Sequence, residues 1–402
     1  MKGRAIFASM LMLLVGVWSC SGPEENIHIG ALEKSVMERE NTFAWKIFPA
    51  LNALQEDENV MISPFSISTA LSMTYNGARG ETQTAMAEVL AYPDMSLEDV
   101  NLAYKNLIAY LAGADDKVTL NIANSVWYDA LFDIVPEFLT VNRDDYDAEV
   151  RGLDFNDAAS TDTINQWVCE KTNEKIETII DQIPADAMMY LINALYFKAA
   201  WTWEFDPELT VNKSFHNYGG STVSVPMMSQ NADLDYYQGG DCQILDLPYG
   251  DGKYSMTIVL PEYDRDINAF IADMTQSGWD SLITAFPEEK TALDVYLPRF
   301  TLEYKAGLKD VLCALGMDIA FNGRADFSGI YAPGGIWIND VYHKTFIEVN
   351  EEGTEAAAAT AVEMIYESAG PVMMIDRPFF FVIREKESGT IFFMGKILNM
   401  EE

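Results

Sequence analysis

Apolar residues recur at helical spacing between residues 35 and 55, where Val36, Phe43, Ile47, Leu51 and Leu54 fall near one face, and predict a docking helix. Ser63-Pro64 fits a helix start and Asn76-Gly77 its end. The run between them is rich in Ser, Thr and Ala, so this helix should pack closely against a neighbour. Further helical patterns cover residues 81–90, 98–112, 136–146 and 158–172. Residues 118–128 alternate through Leu120, Ile122 and Val126 as a strand does. Residues 190–201 are almost continuously apolar, the pattern of a strand buried on both faces in the middle of a sheet, and Asn193 within it needs a polar partner.

The second half is β-rich. From Phe215 to Leu260, short strands are divided by Asn217, Gly219-Gly220, Gly239-Gly240 and Gly250-Asp-Gly252. Helical turns follow near residues 267–274 and 279–286, then a strand over 293–297 ending at Pro298, then a helix over 305–315 stopped by Gly316. The chain closes on two apolar strands, 379–383 and 391–397, joined through Glu387-Ser-Gly389 as a buried hairpin.

One stretch obeys two patterns at once. Residues 349–368 contain four consecutive alanines flanked by Glu355 and Glu363, which favours a helix. Sorted by parity, Thr354, Ala356, Ala358, Thr360, Val362 and Met364 form one uncharged face, and both glutamates fall on the other. Gly353 stands before it as a hinge. A segment suited both to an exposed loop and to a half-buried strand suggests a switch.

Composition narrows the function. The 402 residues, 49% hydrophobic and 12% aromatic, can bury a large core, and no linker-like composition break divides residues 35 to 402, which read as one α+β domain. The formal net charge of -36 would repel a phosphate backbone, so nucleic acid is not an expected partner.

The basic start and the apolar run from Ala5 to Trp18 have the form of an export signal over residues 1–19. The run ends Val17-Trp18-Ser19-Cys20, which resembles a bacterial lipobox and makes Cys20 the expected lipid anchor of a tether spanning residues 20–34. Glu24-Glu25 resembles a surface-export signal of Gram-negative lipoproteins. The expected location is the outer membrane or cell surface, with membrane contact through that anchor alone; a plain secreted protein is the alternative. Cys169, Cys242 and Cys313 form neither a disulfide framework nor a zinc pattern.

Catalytic signatures are missing from the sequence. Three histidines, His28, His216 and His343, are too scattered for a metal site. There is no Gly-x-Ser-x-Gly elbow, phosphate loop or dinucleotide motif, and no cofactor is expected. His343 reads as a structural histidine paired with Asn193 or a serine hydroxyl.

Several separated segments nevertheless agree on a family. Asn59-Val-Met-Ile-Ser-Pro-Phe-Ser-Ile, Asn193-Ala-Leu-Tyr-Phe-Lys-Ala-Ala-Trp201, Leu297-Pro-Arg-Phe300, the stretch from His343 to Thr360, Arg377-Pro-Phe-Phe-Phe and Phe393-Met-Gly-Lys396 stand in order and at the spacing of a serpin. The chain resembles that family over essentially all of residues 35 to 400. The resemblance implies three β-sheets, about nine helices and an exposed reactive-centre loop near residues 351–376. It places Ser63, Ser66, Asn193 and His343 in the shutter beneath the main sheet, Trp201 in the breach where the loop enters, and Glu351, Gly353, Thr354, Ala356, Ala357, Ala358, Ala359 and Thr360 in the hinge.

By the same resemblance, counting 16 residues on from Glu351 and ten back from Pro378 agree on Glu367-Ser368 as the reactive bond, with Met364 and Tyr366 as alternatives if the loop length differs. The implied mechanism is suicide inhibition: a serine or cysteine protease forms an acyl-enzyme at the cut bond, and the freed loop inserts as a strand. The expected partner is that protease, held covalently by a monomeric inhibitor that is not itself an enzyme. Small uncharged hinge residues favour an inhibitor over a non-inhibitory carrier or structural serpin.

Overall fold

In the computed structural model residues 29–185, 187–354 and 370–401 are described. The helices are α1 (Ala31–Leu54), α2 (Pro64–Tyr75), α3 (Gly80–Val89), α4 (Leu97–Ala112), α5 (Pro136–Asp145), α6 (Ala159–Lys171), α7 (Ile267–Asp273), α8 (Gln276–Thr284) and α9 (Lys309–Leu312). The first half contributes strands β1 (Val60–Ile62), β2 (Val118–Asp129), β3 (Glu149–Leu153) and β4 (Met189–Ala200). Then come β5 (Val211–His216), β6 (Thr222–Gly239), β7 (Cys242–Tyr249), β8 (Tyr254–Pro261), β9 (Thr291–Pro298) and β10 (Phe300–Gly307). The last are β11 (Tyr342–Val349), β12 (Gly353–Thr354), β13 (Val372–Met374), β14 (Phe379–Glu385) and β15 (Ile391–Ile397).

These strands make two hydrogen-bonded sets, the larger of which divides into two sheets. Six pair in the order β10-β11-β12-β4-β2-β3. The others run β1-β15-β14-β8-β7-β6-β9-β13, with β5 also on β6. Within this second set, β6 pairs with β9 through Leu234 and with β7 from Asp235 onward, so one 18-residue strand serves two sheets. That double duty is why β6 is continuous where a series of short strands is expected. The arrangement is the α+β fold with nine α-helices among the described residues.

Helix α2 explains how the main sheet is supported from below. Ser63 caps it by accepting from the Ser66 amide, Pro64 occupies the first turn, and every residue except Ala70 is buried. Its Ser, Thr and Ala side chains let the axis lie close to β4, as expected of a helix with so little side-chain bulk.

Three expectations need correction. Residues 305–307 belong to β10, not to a helix; Phe300, Leu302, Tyr304 and Ala306 are buried and alternate with exposed residues, a period of two. The helix there is α9, which runs into a wider turn over Cys313–Met317, where Gly316 has φ 112°. The first helix begins at Ala31, inside the expected tether, because Glu33 folds back to accept from the Gly30 amide. Finally, β4 lies in the middle of its sheet, but its burial alternates. Ile192 and Ala194 pack with Trp127 and α6 on one face, and Leu191 and Leu195 are only half-buried on the other.

Candidate functional site: the slot between β4 and β11

In the six-stranded sheet, β4 and β11 are not paired with each other. Among the described residues they are joined through β12 alone, two residues long: Gly353 faces Ala200, and Thr354 faces Ala199 on one side and Val349 on the other. The chain climbs β11, turns over residues 350–352, and starts back down between the two strands.

That turn is tightly specified. The Asn350 amide donates to the Gly353 carbonyl at 3.0 Å, and Asn350 Oδ1 accepts from the amides of Glu352 and Gly353 at 3.1 and 3.2 Å. Trp201 grips it from just past the end of β4: its indole Nε1 donates to the Asn350 carbonyl and its amide to the Glu352 carbonyl, both at 2.9 Å. The same indole stacks on Tyr249, with centroids 4.3 Å apart and planes 12° apart. Gly353 has φ 153°, and a Cβ there would lie 2.1 Å from the Ala199 carbonyl oxygen, so only glycine lets the chain enter the sheet here.

Two side chains secure the entry. Thr354 is buried, its hydroxyl 2.7 Å from that of Tyr249. The Glu351 carboxylate is buried too and accepts from Arg299 and from Thr210, the latter at 2.6 Å. Burial would raise its pKa, but the hydrogen bonds from Arg299 and Thr210 outweigh that and hold it below the usual carboxylate range. The Glu351 carbonyl also accepts from the Phe205 amide at 2.8 Å, so the turn is anchored on both its backbone and its side chain.

Beneath the lower half of the slot lies a chain of polar contacts. His343 Nε2 accepts from the Ser63 amide at 3.0 Å, Ser63 Oγ accepts from the Ser66 amide, and Ser66 Oγ donates to the Asn193 carbonyl at 3.4 Å. Asn193 Nδ2 donates to Asn124 Oδ1 at 2.6 Å, and Asn124 Nδ2 to the Tyr146 carbonyl. Thr345 ties β11 to the Met61 carbonyl. Burial pushes the His343 pKa down to about 3, which keeps the ring neutral and its Nε2 an acceptor.

The structure thus brings Ser63, Ser66, Asn193 and His343 under the sheet, and Trp201, Glu351, Gly353 and Thr354 at its open end. His343 bonds to a backbone amide, not to Asn193 or a hydroxyl as expected. Asn193 Oδ1 is buried without a hydrogen bond. Cys20, Ala356, Ala357, Ala358, Ala359, Thr360, Met364, Tyr366, Glu367 and Ser368 lie outside the described residues. Sequence reasoning missed Asn124, Thr210, Tyr249, Arg299 and Asn350 as members of the site. Asn124 carried a usable signal, since it interrupts the apolar pattern of β2 directly opposite Asn193 in β4. Arg299 and Tyr249 act through tertiary proximity, which no local pattern records.

Residues 38–400 match the family described as Serpin (serine protease inhibitor). An uncharacterized serpin-like protein of Thermococcus kodakarensis is 36% identical over 379 residues, covering 92% of this chain and 87% of that protein. Human thyroxine-binding globulin complexed with thyroxine aligns with a TM-score of 0.85 at 28% identity, over 92% of this chain and 100% of that one. Tengpin, a thermophilic serpin in its native state, aligns with a TM-score of 0.83 at 32% identity, over 93% and 95% of the two chains. With its family match spanning nearly the whole length and its slot bridged by Gly353 and Thr354, the chain belongs to the serpin family.

Proposed function

We propose that this serpin is a suicide inhibitor of a serine or cysteine endopeptidase. The protease attacks the carbonyl of Glu367, breaks the bond to Ser368 and retains residue 367 as an acyl ester (serine) or thioester (cysteine) while Ser368 becomes a free amino terminus. Residues 354–367 then enter the slot as a full strand, roughly 46 Å long at about 3.3 Å per residue, and carry the bound protease to the far end. The observation that supports this reading best is β12. Its Thr354 already occupies the first position of that strand, between Val349 of β11 and Ala199 of β4, in the register that would continue downward.

An acidic Glu367 would select a protease with a basic pocket, such as a glutamyl endopeptidase. If the bond lies at Met364 or Tyr366 instead, a large apolar pocket is required. Incubation with a protease panel tests the reading: a denaturant-stable complex and a released peptide beginning at Ser368 are expected. A different first residue would move the bond, and cleavage without any complex would sink the inhibitor reading.

The likeness to thyroxine-binding globulin, which carries thyroxine in its structure, supports a second reading as a binding or carrier protein. The two differ in the cut form, which melts markedly higher for an inhibitor and unchanged for a carrier. We also place the protein outside the cytoplasm as a monomer, anchored by lipid on Cys20 after removal of residues 1–19. Mass spectrometry of the mature amino terminus tests that: an unlipidated start elsewhere would make it a plain secreted protein.

A further inference from the structure

A cavity of about 260 Å³ lies at the opposite end of the slot from Gly353, where β4 begins and the chain approaches β11. Its floor is α2, and Ala70, the one residue of that helix that is only part-buried, lines it. Leu191 on β4 forms one wall, Trp337 and Ile338 ahead of β11 the other, and Ile180 after α6 closes a third side. Protein interiors hold few voids larger than a water molecule. An apolar cavity of about 150 Å³ already takes up benzene, so this one has room for a bicyclic ring. None of its lining residues is basic, Asp340 is among them, and the chain as a whole carries a formal charge of -36. An anionic ligand is therefore disfavoured.

We propose that this cavity binds a small aromatic molecule of about two fused rings, neutral or cationic, and that the bound molecule retards strand insertion. The second half rests on the inhibitor reading above. Leu191 on β4 and Tyr342, the first residue of β11, both line the cavity from opposite banks of the slot, so a ring between them fills the end that the inserting strand must reach last. Because α2 is otherwise buried all round, the surface lost by Ala70 on binding comes at no cost to the helix's own packing.

Calorimetric titration of the intact, uncut chain with naphthalene, 1-naphthylmethylammonium and 1-naphthoate tests the site without any protease. The first two should bind with one-to-one stoichiometry and the carboxylate at least tenfold more weakly. Ala70→Leu, which fills the floor with apolar volume, should weaken naphthalene at least tenfold; Trp337→Ala, further from the buried helix, should weaken it severalfold and guards against a folding defect in the first variant. No binding by the parent, or binding by both Ala70→Leu and Trp337→Ala as tight as the parent's, overturns the site. With a protease that forms the complex, naphthalene should raise the number of inhibitor molecules cut per complex formed at least twofold; no rise overturns the coupling. If no protease forms a complex, the function reading fails while the titration still decides the site.

Discussion

The hydroxyls of Tyr249 and Thr354 meet at 2.7 Å in a buried contact that links the nine-stranded set of β-strands to the second residue of β12, inside the six-stranded sheet. Tyr249 is at the same time the surface on which Trp201 stacks, and Trp201 holds the turn that precedes Thr354. One residue therefore sets both the height of the turn and the depth of the entering strand.

Tyr249→Phe keeps the ring on which Trp201 stacks and removes only the hydroxyl. Thr354 Oγ1 is then left buried without that partner, a loss of about 1–3 kcal/mol. Amide exchange of Gly353 and Thr354 should accelerate about tenfold or more, with exchange in β14 and β15 unchanged. Equal exchange in variant and parent would mean that the backbone bonds of the turn suffice to hold the hinge.

Gly353→Ala combines a left-handed φ with a Cβ placed 2.1 Å from the Ala199 carbonyl oxygen. The strand cannot start at this register, and β12 is expelled from between β4 and β11. Limited proteolysis should then cut between residues 351 and 354, which hydrogen bonds and burial hold in the parent; protection preserved in the variant would contradict the close approach.

Thr354→Arg puts a charge where the native side chain is buried and hydrogen-bonded to Tyr249. No carboxylate among the residues bonded to Thr354 could neutralise it, so insertion costs several kcal/mol, within the roughly 2–7 kcal/mol of an unpaired polar group or above it. On the inhibitor reading proposed above, the expected outcome is conversion to a substrate: the same cut, at a similar rate, with no stable complex on a denaturing gel. A complex yield equal to the parent's would sink strand insertion as the mechanism.

Much of this was legible in the sequence because it is written in local patterns. The start of α2 at Ser63-Pro64, the continuous buried hairpin of β14 and β15, and the burial of Thr354, the first position of the uncharged parity set, all follow from residue spacing. The strand β10 was hidden because Lys305 and Gly307 close it in a helix-like run leading into α9, although Phe300, Leu302 and Tyr304 alternate clearly. Glu351 illustrates the other limit. Its place in the hinge followed from family resemblance, but its partners Thr210 and Arg299 lie 141 and 52 residues away, and only the fold brings them together.

His343 gives a pH dependence with a definite sign. Its folded pKa is depressed to about 3 by burial, so its contribution to stability is complete above the unfolded value near 6.5 and is lost as pH falls below it. Between pH 7.5 and 5 the loss is about 2 kcal/mol, from 1.36 kcal/mol per pH unit below 6.5. His343→Gln, which can still accept from the Ser63 amide, should melt lower than the parent at pH 7.5 and close the gap at pH 5 when both are scanned at one rate. A constant gap would show that the ring is not the titrating group.

Glu40 on α1 works in the opposite direction. Its carboxylate is buried among the hydroxyls of Ser68, Tyr92 and Tyr104, the Tyr92 bond being 2.5 Å, and it takes part in no ion pair among the described residues. Burial raises its pKa to about 7 against the partial relief those hydroxyls give. A raised folded pKa means that the stabilising contribution is full below about pH 4.5 and disappears as pH climbs through 7. The span is on the order of 3 kcal/mol, from about 2.5 pH units at 1.36 kcal/mol each. Glu40→Gln removes the titration and leaves an acceptor for Tyr92 and Tyr104, with the new amide able to donate to Ser68. It should melt near or below the parent at pH 5 and above it at pH 8. Because α1, α2 and α4 meet at this carboxyl, the same variant should slow amide exchange in all three helices at pH 8; a parent advantage that persists from pH 5 to pH 8 would mean the carboxylate is stabilised by its hydroxyls and ionised throughout.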